Sequence, residues 1–250
     1  MGMTALAVDA LTHSFGGLQA LNGVSLRAGV GERLVVLGPN GAGKTTLFNI
    51  VTGLIRPQTG RIRLFDRDVT TLAPHRRARL GIGRTFQITT LFPRLSVLDS
   101  VLLAVQGADG ARFALHRPLR AYPRLFEAAE RLLGEWRLLH RAHVTTRQLS
   151  YGEQRQLELV LALAARPRVL LLDEPTAGLS PGETASVTAM IERFPRDVTI
   201  LLIEHDMDVA LTLAERVIVL FQGRVLTEGT RDEIRGDARV AEIYLGVDDA

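Results

Sequence analysis

The sequence predicts an α/β fold in which a mostly parallel sheet is split by a helical insert. Three observations carry this. Residues 169–172, 198–203 and 217–220 are apolar runs without alternation, the pattern of strands covered on both faces. Residues 38–43 form a glycine-rich loop between an apolar run at 33–37 and a helical stretch. Residues 94–165 are rich in Leu, Ala, Arg and Glu at helical spacing.

Taken in order, residues 4–36 read as strands joined by turns. Segments 5–8 and 24–27 are short and partly alternating, and Gly16-Gly17 and Gly29-Val30-Gly31 punctuate them. The apolar run at 33–37 reads as a buried strand, and 45–51 as the helix after the glycine loop. Residues 56–60 make a turn. Arg61-Ile62-Arg63-Leu64 then alternates like a strand with one wet face. In the helical stretch Leu125, Phe126, Ala129, Leu132 and Leu133 recur at helical spacing, while Pro118 and Pro123 divide it into several helices. Ser150 and Glu153 form an S-x-x-E capping box that starts a helix running through Ala165. Ser180-Pro181-Gly182-Glu183 reads as another N-cap with Pro at N1. The expected division is a core in two parts, 1–87 and 166–250, with a helical sub-domain at 88–165.

Composition narrows the class. At 250 residues and 46% hydrophobic, the chain can bury a substantial core. It has no cysteine, which excludes a disulfide framework and a thiolate metal site and fits a reducing compartment. No apolar run approaches the ~18 residues of a bilayer span. The first residues lack the charged and apolar regions of a signal peptide. Net charge is only +3, so the pI of 9.9 reflects arginine usage and does not argue for nucleic-acid binding.

One of the 30 basic residues is a lysine, and it lies in the glycine loop. Gly38-Pro39-Asn40-Gly41-Ala42-Gly43-Lys44-Thr45-Thr46 matches the P-loop pattern G-x-x-x-x-G-K-[ST]. The glycines permit backbone conformations that bring N–H groups onto phosphate oxygens, and the following helix N-terminus favours anions. A cradle of backbone amides has room for a compact ammonium and not for a planar guanidinium fork. Lys44 would reach the β- and γ-phosphates of a nucleotide, and the Thr45 hydroxyl would bind Mg²⁺. Asp173 and Glu174 end the apolar run at 169–172, where open α/β sheets bind ligands. Asp173 would hold Mg²⁺, directly or through water, and Glu174 would accept a hydrogen bond from an attacking water. Taken alone, an acid after an apolar strand also fits a solvated strand end. Ser150 and Glu153 cap a helix, and the same N-terminus, with Gly152, would be a second phosphate-binding surface.

P-loop, then Leu149-Ser150-Tyr151-Gly152-Glu153-Gln154, then Leu170-Leu171-Leu172-Asp173-Glu174-Pro175 is an ordered set that resembles the ATP-binding subunits of ABC transporters, over essentially the whole chain. The resemblance implies a P-loop NTPase (RecA-like) core with an N-terminal antiparallel β sub-domain and an inserted helical sub-domain. It implies that Gln87 touches Mg²⁺ and links core to helical sub-domain, that Phe15 stacks on adenine, and that His205 contacts the γ-phosphate. On residues alone Phe15 also fits a core phenylalanine and His205 a surface histidine. The other five histidines, at 13, 75, 116, 140 and 143, read as surface residues. Two departures stand out. The signature is Ser-Tyr-Gly where the family has Ser-Gly-Gly, and the segment 177–180 ends in Ser180 where most members have Asp.

Arg84-Thr85-Phe86-Gln87, Ile203-Glu204-His205-Asp206-Met207 and Val240-Ala241-Glu242-Ile243-Tyr244-Leu245-Gly246 resemble the ATPases of branched-chain amino-acid importers, as do Tyr151 and the insert around 111–123. This implies ATP and Mg²⁺ as cofactors and separate transmembrane permease subunits as partners. It further implies a second ATPase subunit, in a homo- or heterodimer, and indirectly an extracytoplasmic solute-binding protein, with no nucleic acid. The location implied is peripheral, on the cytoplasmic face of the inner (plasma) membrane. Related ATPases serve urea, amide or lipid transport. ABC ATPases that act on DNA or ribosomes usually carry two cassettes, long coiled coils or zinc-binding cysteines, and this sequence has one P-loop and no cysteine. Arg76, Arg77, Arg79 and Arg84 form a basic cluster, read as a solvated helix face or as a contact for anionic lipid headgroups.

Overall fold

A computed structural model describes residues 3–85, 91–108 and 122–245. In chain order the elements are β1 (Thr4–Phe15), β2 (Leu18–Gly29), β3 (Arg33–Leu37), α1 (Lys44–Thr52), β4 (Thr59–Leu64), β5 (Arg67–Asp68), α2 (Pro74–Arg79) and β6 (Ile82–Arg84). Then follow α3 (Val97–Ala108), α4 (Pro123–Glu135), α5 (Tyr151–Ala164), β7 (Val169–Asp173), α6 (Pro181–Glu192), β8 (Thr199–Ile203), α7 (Met207–Leu213), β9 (Arg216–Phe221), β10 (Arg224–Gly229), α8 (Arg231–Arg235) and α9 (Ala238–Leu245).

Packing divides the chain into two units. The first comprises Met1–Arg84, Arg168–Glu174 and Phe194–Ala250; the second comprises Thr85–Pro167 and Pro175–Arg193. The first contains both sheets. Its larger sheet has the order β10-β9-β3-β8-β7-β6. All neighbours from β9 to β6 pair in parallel, and β10 is antiparallel. Every residue of β3, β7 and β8 is buried, as their lack of alternation requires. The smaller sheet is antiparallel, in the order β2-β1-β4-β5. Ile62 and Leu64 of β4 face its core and Arg61 is exposed, as the alternation predicts. Leu6, Leu11, Leu21 and Ile62 from this sheet join Phe48 and Leu47 of α1 and Leu34 and Leu171 of the parallel sheet in one core.

β1 and β2 run 12 residues each, far longer than the segments legible in sequence. Register shifts interrupt their pairing, one of them spanning Ala10, whose φ is +48°. Such bulges break strict alternation while the ladder continues.

The second unit is helical. Leu125, Ala129 and Leu133 are the buried stripe of α4. Pro123 begins this helix at its first turn, where its missing N–H costs nothing; Pro118 lies outside the described residues. Ser150 caps α5, its hydroxyl accepting from Glu153 N–H at 3.1 Å, while Glu153 Oε2 accepts from Ser150 N–H at 2.9 Å. Ser180 and Glu183 form the corresponding box at α6, with Pro181 at its first turn.

Candidate functional site

The glycine loop joins β3 to α1. Gly38 has φ +147°, and a Cβ there would stand 2.2 Å from Leu220 O. Gly43 has φ +101°, with Ala20 O at 2.5 Å. The loop is therefore held against the backbones of β9 and β2, and no side chain fits at either position. Gly43 is the N-cap of α1 and supplies no side-chain cap, and the first turn carries no acid. The helix thus presents its N-terminal amides and the positive end of its dipole without an internal anion. Lys44 is buried, and its ammonium donates to the carbonyls of Gly38 and Pro39. Burial lowers its pKa, opposed by the charges of Glu174 and Asp173. Thr45 is exposed at the start of α1.

The acids end β7, beside β8. Asp173 lies opposite Ile203 in the parallel register, so Glu174 and His205 emerge from neighbouring strand ends. Asp173 is buried, and its Oδ2 accepts from Arg84 Nη2 at 2.7 Å. Glu174 has φ +47°, a left-handed conformation that non-glycine residues keep only where the surroundings impose it. Its N–H donates to Ile203 O at 2.9 Å. Its Oε2 lies 3.9 Å from Nδ1 of His205, whose side chain is 56% exposed. Glu204, fully buried, accepts from the His205 N–H at 3.3 Å.

Phe15 is exposed at the end of β1, next to the Gly16-Gly17 turn. The His13 and Phe15 rings pack in a T-shaped arrangement, with centroids 4.6 Å apart. His13, expected at the surface, is half-buried. His75, His140 and His143 are exposed, and His116 lies outside the described residues.

In the second unit the signature is tied to the start of α6. Gly152 N–H donates to Glu183 Oε1 at 3.1 Å, and a Cβ on Gly152 would stand 2.6 Å from that oxygen. Tyr151, 43% exposed, donates its hydroxyl to Ala177 O at 3.4 Å. Tyrosine thus braces the 177–180 segment. Glu183 is held ionised below the usual carboxylate range by bonds from the Ser180 hydroxyl and N–H and from Gly152 N–H.

Gln87 lies outside the described residues. The arginine cluster does not form a solvated face. Arg76 and Arg79 are exposed on α2, but Arg77 is 1% exposed and Arg84 is buried at 8% of its side chain. Arg77 donates to the carbonyls of Ile50 and Val51 at the end of α1, and to Leu72 and Thr70. Only two of the four cations remain for a headgroup contact. Closeness in sequence concealed this, because α2 turns Arg77 to its buried side and Arg76 and Arg79 to its exposed side, while Arg84 belongs to β6. The sequence reading also missed Tyr244. Its hydroxyl accepts from Gly38 N–H at 2.9 Å across 206 positions, and no local pattern encodes that contact.

Among the described residues no group of three or more His, Cys, Asp or Glu could hold a metal by itself. Thr45 and Asp173 supply hard oxygen donors, which suit Mg²⁺, an ion that keeps water and phosphate ligands.

The ABC transporter family profile matches residues 21–177. The chain belongs to the ABC transporter family. The profile of the branched-chain amino acid ATP-binding cassette transporters matches residues 224–250 of this ABC protein. It is 39% identical to the high-affinity branched-chain amino acid transport ATP-binding protein BraF of Pseudomonas aeruginosa, over 98% of this chain and 99% of that one. It is 40% identical to LivG of Salmonella typhimurium, with the same coverage. Its fold superposes on the ADP conformation of an ABC transporter cassette with a TM-score of 0.84, at 29% identity over 98% of this chain and 99% of that one. A bacterial ABC cassette solved as a dimer gives 0.76, at 26% identity over 90% and 98%. No described helix of this ABC ATPase is long and apolar enough to cross a membrane.

Proposed function

We propose that this chain is the ATP-hydrolysing subunit of an importer of branched-chain amino acids, acting on a permease made of other polypeptides. What carries the reading is full-length similarity to BraF and LivG, which includes the C-terminal segment 224–250. In this reading the chain lies peripherally on the cytoplasmic face of the membrane, and an extracytoplasmic binding protein delivers the solute to the permease.

The loop 38–46 holds the phosphates, and Lys44 turns its ammonium from the Gly38 and Pro39 carbonyls toward them. Thr45 and Asp173 hold Mg²⁺, which neutralises phosphate charge when bound, with Gln87 as a further ligand. Phe15 stacks on adenine. Glu174 accepts the proton of the attacking water. Its left-handed backbone aims the carboxylate from the strand end, and His205 lies beside it for the γ-phosphate. Ser150, Gly152 and Glu153 form the phosphate-facing end of a second subunit, because one chain supplies one P-loop and one signature. The ABC cassette solved as a dimer supports that pairing.

The test is uptake. Deleting this chain's gene should abolish ATP-dependent accumulation of labelled leucine, isoleucine and valine, and the wild-type chain should restore it. Unchanged uptake of all three, with loss of urea or amide uptake instead, would overturn the assignment.

A further inference from the structure

The buried ion pair at the end of β7 supports an inference that rests on the function proposed above. Asp173 is 1% exposed and Arg84 8%. One arm of the guanidinium donates to Asp173 Oδ2 at 2.7 Å. The other donates to Asn49 Oδ1 at 2.6 Å and Thr52 Oγ1 at 3.4 Å. The guanidinium carbon lies 5.8 Å from the Phe48 ring centroid. β6 therefore supplies the cation, β7 engages one arm and α1 the other. A planar fork spans both; a single ammonium does not.

A buried carboxylate requires a counter-charge, and Asp173 is also the carboxylate that this chain offers to Mg²⁺. We infer that Arg84 is a built-in counter-ion that holds the Asp173 carboxylate aligned in the metal-free protein and competes with Mg²⁺ for it. Two cations on one carboxylate repel each other strongly away from bulk water. Mg-nucleotide is then admitted as the Arg84–Asp173 contact loosens. The arm on Asn49 keeps the guanidinium in place meanwhile. Asn49 belongs to the helix that begins at Lys44, so loading of the loop and loosening of the pair act on one rigid element. Arg84 is a positioning residue, because it acts through Asp173.

The test compares full-length wild type, Arg84→Gln and Arg84→Lys. Binding of a fluorescent, non-hydrolysable ATP analogue is followed as Mg²⁺ is titrated in from EDTA. Melting is recorded in EDTA and with Mg-nucleotide. The Mg²⁺ midpoint should fall about fivefold or more in Arg84→Gln, the lower end of ordinary site-to-site coupling. It should fall less in Arg84→Lys, which keeps the charge and loses the fork. Arg84→Gln should melt lower than wild type in EDTA and recover more with Mg-nucleotide. If Arg84→Gln does not fold, Arg84→Lys decides: a lowered midpoint supports the inference, and one equal to or above wild type overturns it. A wild type that needs Mg²⁺, with unmoved variants, overturns this inference alone. A wild type indifferent to Mg²⁺ overturns the proposed function together with it.

Discussion

Replacing Arg77 by alanine tests whether its charge is structural or belongs to a solvated face. The side chain is 1% exposed and makes four hydrogen bonds to backbone carbonyls, at 2.9 Å to Leu72, 2.7 Å to Ile50, 2.7 Å to Val51 and 2.8 Å to Thr70. Two of these carbonyls close α1, the helix that starts at Lys44. Burial pushes the guanidinium down to about 10, with Asp68 opposing, so it is charged at neutral pH. A hydrogen bond to a charged group contributes about 1.5–3 kcal/mol, and an orphaned buried acceptor costs about 1–3 kcal/mol. Water entering the vacated space recovers part of this. The expected net loss is about 3–5 kcal/mol, the cost of breaking a buried charged network from one side. For a chain of this size each kcal/mol shifts melting by about 2–4 °C, so Arg77→Ala should melt roughly 6–20 °C lower. Arg76→Ala and Arg79→Ala, on the exposed side of the same helix, should stay within about 0.5 kcal/mol of wild type. Thermal and urea unfolding of the three variants decide it. An Arg77→Ala protein as stable as Arg76→Ala would refute the buried role.

Glu174→Gln keeps the side chain's shape and loses its basicity. It should bind ATP, hydrolyse it about 10²–10⁴-fold more slowly and accumulate as an ATP-bound dimer by light scattering; a wild-type rate would exclude Glu174 as the base. Lys44 is the sole lysine, so amine-specific labelling should mark only Lys44 and the N-terminus. Because burial lowers its pKa, labelling should be half-maximal at lower pH than for an ordinary lysine and should be blocked by ATP. Indifference to ATP would place Lys44 outside the phosphate site. Gly152→Ala puts a methyl 2.6 Å from the Glu183 carboxylate and breaks the bond from its N–H. Melting should fall by a few degrees, while ATP-driven association and turnover fall much further than that loss of stability explains; unchanged turnover would remove Gly152 from the interface.

Whatever depends on neighbours along the chain was legible before folding was considered. The strand, glycine loop and helix around Lys44, the caps at Ser150 and Ser180, and the buried strands that end at Asp173 and Ile203 all follow from period, glycine placement and capping chemistry within a few residues. The same local order of motifs carried the family. Features that depend on contacts across the chain emerged with the fold. The strands β1 and β2 continue through bulges that erase alternation, so their length could be found only from the pairing of one with the other. Neighbouring arginines separate into exposed Arg76, a buried anchor at Arg77 and a counter-ion at Arg84, because α2 turns Arg76 and Arg77 to different sides and β6 aims Arg84 at Asp173. Tyr244 reaches Gly38 across 206 positions, and Glu183 reaches Gly152 across 31. A buried charge is set by the partner that folding brings to it, and that partner leaves no mark on the residues next to it in sequence.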